Sequence, residues 1–518
     1  MVKQRLSTQS APFLSCLAIA AGALGILAST APLVAGVAAI ALLLLVWLVR
    51  QPVALVPITI VLATTAFPAA VPRAVSIGPL GIYLYEPFLA LALCWSIATI
   101  RGLDKRDIPA ILLLVGLAAS VVAGAVSGNP TAQALNDARG PLVMVLSYLI
   151  AARIIEQPTA RRYALIALGV SLWVSTIMIL LASLGWLELS GRTEDASLVE
   201  AGSSGNVATG AARFLTSATH SALAVLCVLF ALLVLRKITA QQSLPCLVPA
   251  AIITFLSFSR NSLLALLTVA VVILMLRRTT RTAVALFTRT TGVAILVGIA
   301  LIATNVFSGL SAFDFLHTQF QAYSHRVLEG LDGQTLERDT SVLYRESENS
   351  YLREAIAESP VVGHGMGYPY RPASGEPGSF FATSARYYAH DFFLWMLVKT
   401  GVVGIILLAA FLYVPLRGTA GVKRNRPAVA FVATSIALLA VSSVAPMPLG
   451  FESAAALVIG TILGATTGLA SGRPSKIRES HSQPVRAVRN RQPGPRSGGN
   501  NHNGRPCDAR HVGAEISN

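Results

Sequence analysis

An imidazole close to several guanidinium groups is equipment for moving a hydroxyl proton beside a phosphorylated leaving group. The chain carries such residues at the edges of its apolar runs. Arg260 lies in the tight turn Ser257-Phe258-Ser259-Arg260-Asn261-Ser262, Arg213 and Arg139 each open an apolar run, and His390-Asp391 precede another. Glu86 lies seven residues inside an earlier run, about 10 Å deep at helical rise. Guanidinium groups grip diphosphate in a bidentate fork, and a histidine whose unperturbed titration lies near neutrality can take a proton from a hydroxyl. Each residue also has a plainer reading. An interfacial arginine can be a snorkelling anchor, a histidine at a helix start a cap, and Glu86 the counter-charge of one arginine. Several such groups at one face of a membrane favour the functional reading, because charge at membrane depth is costly.

The elements that must position these residues follow from composition. Of 518 residues, 54% are hydrophobic and only 12% charged, against the roughly 25% charged usual in soluble domains. That deficit excludes a large soluble enzyme, a disordered scaffold and an ordinary nucleic-acid binder. Apolar stretches of about 20 residues recur along the chain, each long enough to cross ~30 Å of hydrocarbon. The expected fold is an all-α, polytopic transmembrane helical bundle of about 12–14 spans. Spans are expected near 11–30, 32–49, 52–71, 79–99, 108–127, 139–155, 163–186, 213–235, 244–259, 261–276, 290–307, 391–416, 428–446 and 451–470. No paired internal repeat or interrupted span is visible, which separates the pattern from that of many transporters.

The net charge of +16 is explained by basic loops on one side rather than by nucleic acid. Alternate loops hold Arg50, then Arg101 with Lys105 and Arg106, then Arg153, Arg161 and Arg162, with further clusters after residues 235, 276 and 416. The bias predicts both termini in the cytoplasm and long loops outside at roughly 187–212 and 308–388. Four regions are expected: an N-terminal bundle over 1–307, the long loop 308–388, C-terminal spans over 389–470, and a disordered basic tail over 471–518. Within the loop, Tyr344 to Ser359 reads as an amphipathic helix with Tyr351, Leu352, Ala355 and Ile356 on one side, ended by Pro360. Gly363-His364-Gly365-Met366-Gly367 then calls for a backbone path that glycine takes freely. A loop of this length is usually functional. The five cysteines are scattered, with no disulfide framework, and the sequence contains no P-loop or Asp-x-Asp pair. No cofactor and no metal site are expected, so arginine must supply positive charge to any diphosphate.

Two segments carry a resemblance. One is Phe255-Leu256-Ser257-Phe258-Ser259-Arg260-Asn261-Ser262-Leu263-Leu264-Ala265. The other runs from Tyr351-Leu352-Arg353 through Pro360-Val361-Val362-Gly363-His364-Gly365-Met366-Gly367 to His390-Asp391-Phe392-Phe393-Leu394 and Lys399-Thr400-Gly401-Val402-Val403-Gly404. Their order resembles the bacterial O-antigen ligase and O-antigen polymerase family of membrane glycosyltransferases, with weaker similarity around Gly81 to Leu89. Asp391 and Lys399 depart from the residues commoner in the family at those positions. The resemblance implies a GT-C-like bundle whose long loop caps a cavity at the outer face of the cytoplasmic (inner) membrane. It implies a donor glycan on polyprenyl diphosphate and an acceptor hydroxyl on another glycan, a lipid core or a protein. Polymerase is slightly preferred to ligase, and further proteins of a polysaccharide assembly complex are possible partners. In this reading Arg260, Arg213 and Arg139 bind diphosphate, and His390 with Arg260 is catalytic. Glu86, Asp391, Gly363, Gly365 and Gly367 support them, with the glycines letting the backbone approach the glycan or pivot the loop. The reaction implied is metal-independent and inverting. The competing expectation is a polysaccharide or lipid-linked glycan transporter or flippase, and a third is a structural partner in an envelope complex.

Overall fold

The computed structural model describes residues 47–48, 50–77, 80–196, 210–277, 282–285, 287–288, 311–376, 379–417, 425–449 and 454–470. The expected spans at 11–30 and 290–307, nearly all of that at 32–49, and the tail from 471 lie outside them. The fold is an all-α polytopic helical bundle with two short hairpins.

In chain order the helices are α1 (Leu55–Thr64), α2 (Tyr85–Thr99), α3 (Ile108–Val126), α4 (Thr131–Ile154), α5 (Pro158–Ser183), α6 (Ser217–Val234), α7 (Ala240–Leu256) and α8 (Arg260–Arg277). They continue with α9 (Ser311–Tyr323), α10 (Gly333–Arg338), α11 (Thr340–Glu358), α12 (Phe392–Arg417), α13 (Arg426–Ser442) and α14 (Ala454–Ala470). By length and composition α3, α5, α6, α8 and α12 can each cross a membrane, and α7, α13 and α14 are shorter apolar helices. Strands β1 (Ala74–Ile77) and β2 (Leu80–Tyr83) form one antiparallel hairpin, and β3 (Arg192–Asp195) pairs antiparallel with β4 (Ala212–Leu215).

The core is held by small residues rather than by bulk. Gly460 and Gly464 of α14 press directly on the backbone of α4 at Met144 and Tyr148, where a Cβ would collide. Such close backbone approach is how helices associate in lipid, where apolar burial alone gives no drive. At the end of the bundle opposite the long loop, Arg153 is fully buried and pairs with Asp107 at 2.7 Å while its Nη1 donates to the Leu149 carbonyl. It therefore belongs to the packing of α4, not to a free basic loop as its sequence position suggested.

Three expected positions are corrected. Arg213 lies on β4 and not at the start of a span, because the chain pairs as a hairpin with β3 before α6 begins at Ser217. Arg139 is inside α4, which starts at Thr131 rather than 139. Glu86 is the second residue of α2, not seven residues deep, because the β1–β2 hairpin takes up the first part of the expected span.

The fourth correction concerns α12. The span is interrupted at Gly401, whose φ of 62° and ψ of −169° break the helix. The long loop fills the gap. His364 and Gly365 donate to the carbonyls of Val398 and Lys399 at 2.9 and 3.0 Å, and Val402 and Val403 donate to those of Pro360 and Val361 at 2.9 and 3.2 Å. Interrupted backbone in a membrane protein is tolerated where protein satisfies it, and the loop residues 360–365 do so here.

Candidate functional site

The site is organised along α11. Asp339 caps this helix, accepting from the Ser341 amide at 2.8 Å, and its other oxygen pairs with the guanidinium of Arg260. Arg260 begins α8, immediately after a tight turn in which Phe258 adopts a φ of 43°. That conformation is costly for an aromatic residue and persists only when its surroundings impose it. Phe258 is buried and its ring packs with Phe255 and Tyr323, so the aromatic cluster holds the turn that aims Arg260. Gly330 lies under the guanidinium, leaving room that a side chain would occupy, and Arg260 Nε donates to the Arg326 carbonyl at 3.3 Å.

Further cations adjoin. Arg213 donates through Nε to the Ser257 carbonyl at 2.9 Å and pairs with Glu194. Arg192 and Arg326 approach the same carboxylate at 2.7 and 3.6 Å. Burial raises Glu194, but Arg213, Arg192 and Arg326 outweigh it and hold the carboxyl below its ordinary value. Burial, with Arg326 nearby, pulls Arg213 down to about 10, still protonated at neutral pH. Arg345 of α11 lies in the field of Arg260, Asp339 and Glu348, and burial lowers it too. Its Nε is buried without a hydrogen-bond partner, and among the described residues no carboxylate comes within ion-pair distance of it. Five arginines here face three carboxylates, Glu194, Asp339 and the more distant Glu348, so the region carries spare positive charge.

One turn further along α11, Glu348 is fully buried and holds His390 twice. Its Oε2 accepts from the His390 amide at 2.7 Å and lies 3.0 Å from Nδ1. The Tyr370 hydroxyl donates to Oε1 at 3.2 Å. Tyr344 and Tyr388 stand edge-on to the imidazole, with centroids 5.7 and 5.6 Å away. A carboxylate on Nδ1 orients the ring and fixes the proton there, which leaves Nε2 as the acceptor. Among the described residues nothing bonds to Nε2. Burial raises the Tyr388 and Tyr344 phenols, so both stay protonated, and Tyr344 accepts a hydrogen bond from Arg371.

Arg260 and His390 are thus brought to one helix at one end of the bundle, about nine residues of α11 apart, or ~13 Å at helical rise. Arg213 joins them through Glu194 and Ser257. Arg139 and Glu86 do not. They pair with each other at 3.1 Å beside the β1–β2 hairpin, where Arg139 also donates to the Gly81 carbonyl and covers the Tyr83 ring. Asp391 caps α12, accepting from the amides of Phe393 and Leu394 at 2.9 and 3.0 Å. Gly363, Gly365 and Gly367 have φ of 69°, 81° and 81° and lie against the backbones of Lys399–Gly401, Ala123–Gly124 and Pro130–Ala134. They dock the loop onto the bundle. His364 bonds the Ala355 carbonyl at 2.8 Å and stacks on Tyr368.

Sequence reasoning missed Glu348, Arg345, Asp339 and Glu194. The first two had a signal. The buried stripe of α11 through Leu352 and Ala355, extended backwards by four and seven residues from 352, lands on Glu348 and Arg345, two charges on an apolar face.

Among curated proteins none matches this chain significantly. The family model described as O-antigen ligase matches residues 245–409, a stretch that includes Arg260, Asp339, Arg345, Glu348 and His390. Residues 245–409 are thus similar to the O-antigen ligase family, and the apolar helices make the chain a multi-pass membrane protein.

Proposed function

We propose that the protein transfers a glycan from a polyprenyl-diphosphate donor to an acceptor hydroxyl at the outer face of the cytoplasmic membrane, with both termini in the cytoplasm. The observation that carries this reading is the pairing, on one helix, of an imidazole oriented by buried Glu348 and an unpaired guanidinium, Arg345, beside Arg260. His390 Nε2 takes the proton of the acceptor hydroxyl as its oxygen attacks the anomeric carbon. The bond from that carbon to the diphosphate oxygen breaks, and polyprenyl diphosphate leaves with its electron pair. Attack opposite the leaving group inverts the anomeric centre. Arg260 and Arg345 bind the diphosphate and stabilise the charge that grows on it, with Arg213 and Arg326 adding to the local field. Preorganised charge of this kind is worth several kcal/mol in a water-poor site, and general-base assistance about 10²–10⁴-fold. In this reading the arginines supply the positive charge without a metal. Polymerisation is preferred over ligation because no feature of the chain favours a non-glycan acceptor.

The test is transfer by the full chain in lipid nanodiscs with the lipid-linked glycan as donor. His390→Ala should lower turnover about 10²–10⁴-fold, and Arg260→Ala should lower it comparably. Wild-type transfer by both variants at normal expression would overturn the proposal.

A further inference from the structure

Beyond Glu348, the same helix forms one wall of a cleft of about 370 Å³, within the roughly 300–1,000 Å³ of small-ligand pockets. Tyr351, Glu354 and Glu358 line that wall, and the opposite side is built by the Tyr368–Pro372 segment with Arg386. Resting on the glycosyl-transfer reading above, we propose that this cleft binds the acceptor glycan and sets which of its hydroxyls reaches His390.

Three observations carry the assignment. The first is order along α11. Asp339 and Arg345 come first, Glu348 with His390 next, and Tyr351, Glu354 and Glu358 last, so the base lies between the spare cations and the cleft. From Arg345 to Tyr351 is six residues, roughly 9 Å at helical rise. The base must hold the acceptor hydroxyl within reach of the donor's anomeric carbon, and this order puts the acceptor on one side of it and the donor diphosphate on the other.

The second is chemistry. Glu354 and Glu358 are exposed carboxylates, which repel a diphosphate but accept hydrogen bonds from sugar hydroxyls. Arg386 faces them with its Nε buried and unbonded, and among the described residues it has no carboxylate partner within ion-pair distance. Tyrosine rings offer apolar faces for the C–H side of a sugar and a polar edge for its hydroxyls. Donors, acceptors and aromatic faces together match a carbohydrate and suit neither an acyl chain nor a free phosphate.

The third is a physical link. Tyr370 forms part of the cleft, and its hydroxyl bonds the same Glu348 that orients His390. The wall that contacts the acceptor is thereby tied to the group that positions the base.

The experiment uses the full chain in nanodiscs and the double variant Tyr351→Ala/Arg386→Ala. The variant spares the residues assigned to the diphosphate and the base. The probe is the reducing oligosaccharide freed from the lipid-linked glycan by mild acid, with binding read by saturation-transfer NMR and transfer by product chain length. The acceptor KM should rise about tenfold, with donor KM and kcat within about twofold, and the NMR signal of the bound oligosaccharide should fall in parallel. An unchanged acceptor KM with unchanged binding, or a rise confined to donor KM, overturns the assignment. The two readings fail separately. Persistent transfer with an unaltered acceptor KM removes the cleft and keeps the enzyme. Loss of oligosaccharide binding in the variant, alongside a wild-type protein that forms no glycosidic bond, removes the enzyme and keeps the cleft.

Discussion

Two helices of this bundle bring acids and bases into the interior, and they use them differently. On α4, Asp137 and Arg139 are matched charge for charge. Asp137 holds the fully buried Lys399 at 2.7 Å and accepts from Gly367 N and Gln133 at 2.9 and 2.7 Å, while Arg139 holds Glu86. On α11, Asp339 pairs with Arg260, and Glu348 with His390 and, at 4.0 Å, with Arg371, yet Arg345 has no carboxylate partner and His390 keeps Nε2 open. The first arrangement balances each charge with a counter-charge and leaves no net charge over. The second has a cation and an acceptor nitrogen to spare. An ionisable group inside a membrane protein is thus a sign of function only when the sum of its neighbours leaves something over.

The sharpest way to break this contrast is through Lys399. Its Nζ also donates to the Tyr368 carbonyl at 2.6 Å, so it ties α4 to both the broken span and the glycine-rich loop. Lys399→Met would leave Asp137 buried without its counter-charge, and such a loss costs about 3–5 kcal/mol. Thermal unfolding in detergent should show it, and the double variant Lys399→Met/Asp137→Leu should recover most of the difference. Recovery of stability without normal transfer would mean that α4 has a part in the chemistry as well.

Next in size is Arg345. Removing one preorganised charge from a transition-state site typically costs about 2.7–4 kcal/mol, or 10²–10³ in turnover. Arg345→Ala should lower kcat by that amount with unfolding unchanged, because no pairing is lost. Arg345→Lys should restore only part of it, since a single ammonium lacks the bidentate fork. A destabilised Arg345→Ala protein would instead make the residue a structural one.

These two residues also show what the sequence could and could not disclose. The helix expected over 344–359 is present as Thr340–Glu358, and its apolar stripe is buried at Leu352 and Ala355, because a local 3.6-residue period suffices to reveal it. The turn at Arg260 and the segment from Pro360 to Gly404 were legible as motifs, since each is contiguous in sequence. Pairings between distant positions were not. Asp137 and Lys399 are 262 residues apart, and Arg260 meets Asp339 across 79. Neither hairpin announced itself either, because four-residue strands such as Arg192–Asp195 are too short for an alternating pattern. That is why the sequence groups Arg139 with Arg260 and Arg213, whereas the fold pairs it with Glu86. Residue type alone cannot tell a matched arginine from a spare one.

The smallest expected effect follows from that distinction and tests it most directly. Arg139 and Glu86 are each about one-fifth exposed, at 19%, so their ion pair is partly screened and worth on the order of 1 kcal/mol or less. Arg139→Gln keeps a donor for the Gly81 carbonyl and leaves the α11 cluster untouched. Transfer should stay within about threefold of wild type, with the apparent unfolding temperature lowered slightly. The contrast with Arg345→Ala, which removes the same charge at the same end of the bundle, is the informative quantity. If the α4 charges are architectural, the two variants should differ by about two orders of magnitude in turnover. If Arg139→Gln instead loses as much as Arg345→Ala, the diphosphate site extends to the β1–β2 hairpin, and charge matching in the unliganded protein does not identify the residues that bind substrate.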